Sequence, residues 1–117
     1  MQATVLIVDD HPTFGRFARR LLEQAGFAVV GEAEDAAEAL ARARELSPDA
    51  VLLDVLLPDA SGLDVAAELA EARDAPAVVL TSSRSERDLG VVLREAPARG
   101  FIPNASFTGA AFAELVA

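Results

Sequence analysis

The chain has 117 residues, 52% of them hydrophobic and 25% charged, with 19 acidic side chains against 10 Lys plus Arg and a net charge of −9. That length and apolar fraction suit one folded domain, residues 1–117, and exclude a disordered chain. The charge argues against a nucleic-acid grip by this domain, the lack of Cys removes disulfides and thiolate metal sites, and no apolar run reaches the ~18 residues needed to cross a bilayer.

Short apolar runs alternate with longer amphipathic ones. Thr4–Val8 reads as a first strand, and it ends on an acidic pair, Asp9-Asp10. Pro12 suits a first helical position, Phe14, Phe17, Leu21, Leu22 and Ala25 follow at helical spacing, and Gly26 closes that helix. Phe27–Ala33 is a second strand. Asp35, with Glu38 three residues on, forms a capping-box-like start for a helix over Ala36–Leu46, stopped by Ser47-Pro48-Asp49. Ala50–Leu53 is a third strand running directly into Asp54. After the loop Leu57-Pro58-Asp59-Ala60-Ser61-Gly62 comes a helix over Leu63–Arg73, then a fourth strand, Ala77–Thr81. A helix over Glu86–Ala96, weakened by Gly90 and closed by Pro97, leads to a fifth strand, Gly100–Pro103. Ser106 is the expected cap of a last helix reaching about Val116.

The first, third and fourth strands are nearly continuous Val, Leu, Ile and Ala, as parallel strands covered on both faces are. Alternating β and α with short loops implies right-handed crossovers. The expected class is α/β, a doubly wound five-stranded parallel sheet with five helices on its two faces. Ligands in such sheets sit beyond the carboxyl ends of the strands, where Asp9, Asp10, Asp54 and Thr81 fall, with Asn104 just past one.

Each candidate has an ordinary alternative. Asp54 could be an exposed turn residue, as Asp59 is expected to be. However, it abuts a buried run and faces a second acidic pair, which favours a functional role. Asp9-Asp10 could cap the helix at Pro12; one can cap while the other binds a cation. Thr81 alone would be an ordinary strand residue, and Phe101 a core one. His11 reads as a loop residue, with tuning of the acidic pocket as its alternative, and Arg16, Arg19 and Arg20 as a solvated helix face. Clustered carboxylates repel one another, so they either raise a pKa or hold a cation. Neither GxGxxG, GxxxxGK[ST] nor GxSxG occurs, which removes the common dinucleotide, P-loop and serine-hydrolase readings.

Val8-Asp9-Asp10-His11-Pro12, Leu53-Asp54-Val55-Leu56-Leu57-Pro58-Asp59 with Gly62, and Leu80-Thr81-Ser82 together closely resemble response regulator receiver domains across essentially the whole chain. Gly31-Glu32-Ala33 and Gly100-Phe101-Ile102-Pro103 look most like receivers of the NarL/FixJ type, which usually carry a DNA-binding domain. The resemblance implies a CheY-like, flavodoxin-like sheet of order 2-1-3-4-5. It also implies that Asp54 is a phosphoacceptor served by the phosphohistidine of a sensor histidine kinase or phosphotransfer protein. Mg²⁺ would be bound by Asp10, Asp54 and the backbone carbonyl of Leu56, with Asp9 acting through water. Thr81 would bond a phosphoryl oxygen and Phe101 would be the aromatic switch.

The expected partners are the kinase and an output domain or partner protein, with homodimerisation open. A cytoplasmic location is expected, since Met1-Gln2-Ala3-Thr4 lacks the basic region of a signal peptide. No enzyme activity is expected beyond phosphoryl chemistry on the chain itself. One departure stands out. Receivers place a Lys after the fifth strand; here that residue is Asn104, and the chain has no Lys anywhere. Arg84, just past Thr81, is a candidate substitute donor. The alternative is therefore a pseudo-receiver, a phosphorylation-independent interaction module. An unrelated flavodoxin-like binding protein or small hydrolase is a third reading.

Overall fold

A computed structural model describes residues 2–83 and 96–117. Five strands form one parallel sheet: β1 Thr4–Val8, β2 Ala28–Ala33, β3 Ala50–Asp54, β4 Ala77–Ser82 and β5 Gly100–Pro103, in the order β2-β1-β3-β4-β5. Among the described residues four helices cover it: α1 Pro12–Gln24, α2 Ala36–Leu46, α3 Gly62–Ala70 and α4 Gly109–Val116. The expected helix over Glu86–Ala96 lies almost wholly outside the described residues, as does Arg84.

The period-two alternation of a strand divides the core between the two faces. Leu6, Val8, Val51, Leu53 and Leu80 face one way and pack with Ala36 and Ala39 of α2 and Val65, Ala66 and Leu69 of α3. Val5, Ile7, Leu52, Val79 and Ile102 face the other way and pack with Ala18 and Leu22 of α1 and Phe112 of α4. Residues 50–54 are all buried, so β3 is the spine of the molecule. The β1–β2 register slips between Val5 and Leu6, which pair with Val29 and Gly31, and the skipped Val30 is half-exposed.

Boundaries depart from expectation where side chains stop deciding them. β3 and β4 each extend one residue further, through Asp54 and Ser82, because the ladder continues past the apolar run. Helix α3 ends at Ala70 rather than Arg73, since residues after Leu69 bury nothing and Pro76 follows closely. Ser106 does not cap the last helix. Residues Asn104–Ser106 form a 3₁₀ turn, and Thr108 caps α4 by accepting the Ala111 N–H at 3.0 Å. The start of α2 is capping-box-like, as expected: the N-cap Asp35 accepts the Glu38 N–H at 2.7 Å, and the Glu38 carboxylate reaches back one residue further, to the Glu34 N–H at 2.9 Å.

Candidate acidic site at the strand exits

Three adjacent strands deliver the site. Asp9 follows β1, Asp54 ends β3, and Thr81, on β4, pairs in register with Asp54. Asp9 is 7% exposed, Asp54 3% and Thr81 fully buried, so none of them is an exposed turn residue. The exit of β3 is held tightly. Val55 N–H bonds the Thr81 carbonyl at 2.9 Å, and Gly62 N–H bonds the Val55 carbonyl at 2.7 Å. A Cβ at Gly62 would run into the Asp54 carbonyl oxygen, so this approach requires glycine.

The loop after β1 wraps its own acid. Asp9 Oδ1 accepts the His11 N–H at 2.7 Å. The His11 ring enters the cluster, with Nδ1 3.0 Å from Asp9 Oδ1, 3.0 Å from Asp10 Oδ1 and 4.0 Å from Asp54 Oδ2. A single ring N–H serves one acceptor. With it on Asp9, Asp10 Oδ1 is left without a hydrogen-bond partner, as is Asp9 Oδ2, and both atoms are buried. On the other flank Asp54 Oδ1 accepts the Leu56 N–H at 3.0 Å.

The electrostatics follow from this crowding. Burial pushes the Asp54 carboxyl up to about 6, against the pull of the Leu56 N–H; the neighbouring charges of Asp9 and Asp10 add to the rise. Burial also raises Asp9, partly offset by its bonds to His11. His11 is raised chiefly by its hydrogen bond to Asp9. Ligand atoms of Asp9, Asp10, His11 and Asp54 all lie within 4.8 Å of one another. Two orphaned buried carboxylate oxygens in such a cluster fit a hard cation with oxygen ligands, Mg²⁺ among them.

The β4–β5 side differs. Thr81 Oγ1 donates to Asn104 Oδ1 at 2.6 Å, joining the end of β4 to the turn after β5. Phe101 is half-buried on the sheet face that carries Leu53 and Leu80. Leu56 lies two residues past Asp54 with its side chain exposed. The structure thus brings together Asp9, Asp10, Asp54, Thr81 and Asn104, and leaves Phe101 and Leu56 at the margins.

His11 sits in the loop, as expected, and of its two readings the structure favours the one that tunes the acidic pocket, since its ring faces three carboxylates; its spacing of two from Asp9 suits a side-chain-to-backbone turn. Some roles were missed in the sequence. Asp59 is exposed in its loop as expected, but it also accepts the Ala36 and Ala37 N–H groups at 2.7 and 3.1 Å. These contacts hold its carboxyl below the usual range and tie the post-β3 loop to the start of α2. Arg19 does not simply face solvent: it pairs with Glu32 of β2 at 2.7 Å. Arg99 stays away from the site, at the α4 end, 3.4 Å from the Ala117 carbonyl.

Residues 5–106 match the family model of the response regulator receiver domain. The transcriptional regulatory protein PdtaR of Mycobacterium tuberculosis is 40% identical over 98 residues, covering 84% of this chain and 47% of the relative, so the chain spans about half the length of that protein. The signal receiver domain of NarL from Mycobacterium tuberculosis superposes with a TM-score of 0.89 at 30% identity, covering 98% of this chain and 96% of that one. A LuxR-family two-component response regulator from Aurantimonas sp. SI85-9A1 gives a TM-score of 0.84 at 32% identity, covering 98% and 86%.

Proposed function

The chain belongs to the response regulator receiver domain family, and from that premise we propose that it accepts a phosphoryl group on Asp54 and thereby switches an output. The observation that carries the proposal is the buried Asp54 carboxylate beside Thr81, facing the orphaned oxygens of Asp9 and Asp10. One Asp54 oxygen attacks the phosphorus of a phosphohistidine. A P–O bond forms as the P–N bond breaks, and its electron pair leaves with an imidazole protonated at its other nitrogen. Asp54 must be ionised to attack, and its raised pKa leaves a basic, reactive carboxylate above pH 6. The Thr81 hydroxyl, once turned from Asn104, would donate to a phosphoryl oxygen, and Phe101, the register partner of Leu80, would be the aromatic that answers a shift of β4.

Asp10, Asp54 and the Leu56 carbonyl would hold Mg²⁺, with Asp9 acting through water. The cation supplies charge neutralisation for an anion entering a cluster that already repels it. The donor partner would be a sensor histidine kinase or phosphotransfer protein. The output would be a transcription-regulating domain or partner, by analogy with the names of the relatives. A cytoplasmic location suits such partners, and among the described residues no helix is long and apolar enough to cross a membrane.

Asn104, at the position the family gives to Lys, favours a second reading, a pseudo-receiver that signals by binding alone. Intact-mass measurement with Mg²⁺ and phosphoramidate separates the two. The phosphoacceptor reading expects one phosphoryl adduct, lost in Asp54→Ala and in EDTA. An adduct that persists in Asp54→Ala refutes the site, and no adduct with any donor supports the pseudo-receiver.

A further inference from the structure

The fully buried Thr81 hydroxyl donates to Asn104 Oδ1 at 2.6 Å, a contact spanning 23 residues of chain. The ladder sets Thr81 directly beside Asp54. A hydroxyl has one proton to donate. While that proton is directed at Asn104 it is not directed at any oxygen carried by Asp54. We infer that Asn104 is a positioning residue that acts through Thr81, holding its hydroxyl in a resting orientation and competing with the phosphoryl group for its proton. The inference rests on the phosphoacceptor reading of Asp54 and adds a sign to it. A Lys at this position would contribute a bond gained on phosphorylation. Asn104 contributes a bond that phosphorylation must break.

An anionic phosphoryl oxygen is a stronger acceptor than an amide carbonyl, so the exchange runs forward, but its gain is reduced by the bond lost. The released end is a specific one. Asn104 opens the 3₁₀ turn, and its backbone carbonyl accepts the Phe107 N–H at 3.3 Å. Phe107 is buried, edge-on to Phe14 of α1 at 5.8 Å between ring centroids and 6.2 Å from Phe112 of α4. The side chain released by exchange at Thr81 thus belongs to the residue that opens the turn leading into this aromatic cluster.

The test is the affinity of the 117-residue chain for beryllofluoride with Mg²⁺, a phosphoryl mimic, read from amide NMR shifts. Asn104→Ala should bind it about 2- to 12-fold more tightly than wild type, the effect of removing one net competing hydrogen bond. In a Thr81→Ala background the same substitution should change nothing, and in Thr81→Ser, which keeps a hydroxyl, the gain should return. In ligand-free protein the Asn104 side-chain amide resonances should move in Thr81→Ala and hold in Thr81→Ser. Equal or weaker binding by Asn104→Ala, a gain that survives loss of the hydroxyl, or unmoved Asn104 resonances each overturn the inference. A wild type that binds no mimic and takes no phosphoryl adduct overturns the phosphoacceptor reading and this inference together. Mimic binding without the Asn104→Ala gain overturns the inference alone.

Discussion

Two aspartates bracket the central strand, Asp49 just before β3 and Asp54 at its end, and their surroundings are opposites. Asp49 accepts the Thr4 N–H at 2.8 Å and the Thr4 hydroxyl at 3.1 Å, while its own N–H bonds Thr4 Oγ1 at 3.0 Å. Its backbone carbonyl takes the Ala77 N–H at 3.0 Å, so one residue fastens the starts of β1, β3 and β4. Asp54 is buried, accepts one N–H from Leu56, and faces other acids. At the entrance of the sheet a carboxylate is used up in holding strands together. At the exit it is desolvated, holds a single N–H bond and carries a raised pKa.

The largest test of that contrast is stability without metal. Because the Asp54 pKa is raised, the folded state keeps that proton where the unfolded chain has lost it. The favourable contribution is full below about pH 4 and is gone once pH has risen through about 6. In EDTA, Asp54→Asn should therefore exceed wild type at pH 7 by roughly 2–3 kcal/mol in urea unfolding, with the difference growing between pH 4 and 6. Equal stabilities at pH 7 would show that the exit carries no uncompensated charge.

Next in size, Gly62→Ala should destabilise by about 1–3 kcal/mol, since the new methyl collides with the Asp54 carbonyl and the neighbouring backbone cannot yield freely. A neutral outcome would mean that the exit geometry is loose. Protons and Mg²⁺ should compete at Asp54, so apparent Mg²⁺ affinity, read by amide shifts at Asp9–His11 and Asp54–Leu56, should fall up to about tenfold per unit below pH 6. A pH-independent affinity would remove Asp54 from the ligand set. Smallest, Asp49→Ala should lower stability by about 1 kcal/mol through its lost bonds to Thr4 while leaving the Mg²⁺ response intact. A change in that response would mean that the two ends of β3 are coupled.

The sheet was legible because β1, β3 and β4 are short runs apolar on both faces, as buried strands are, and they alternate with amphipathic helices, which selects a parallel sheet. The acids were legible because each abuts such a run. What could not be read was set by contacts distant along the chain. Asp59 meets α2 across 23 residues, and Asn104 meets Thr81 across the same interval. The misplaced cap at Ser106 has a local cause. By residue type Ser106 is if anything the better cap, and the 3₁₀ turn after Pro103, which takes up Ser106, hands the role to Thr108.

The strand order also bears on how the molecule is made. β1 must wait for β3, 45 residues downstream, before Thr4 meets Asp49, and Asp54 must wait for β4 before it lies beside Thr81. Pairings of such long sequence separation form late and slowly, because loop-closure entropy has to be overcome first. A chain emerging from the ribosome therefore carries Asp9, Asp10 and Asp54 well before the Thr81 side of the crevice exists. Any ligand that contacts both sides would select finished molecules over partly folded ones and, by mass action, hold them in that state.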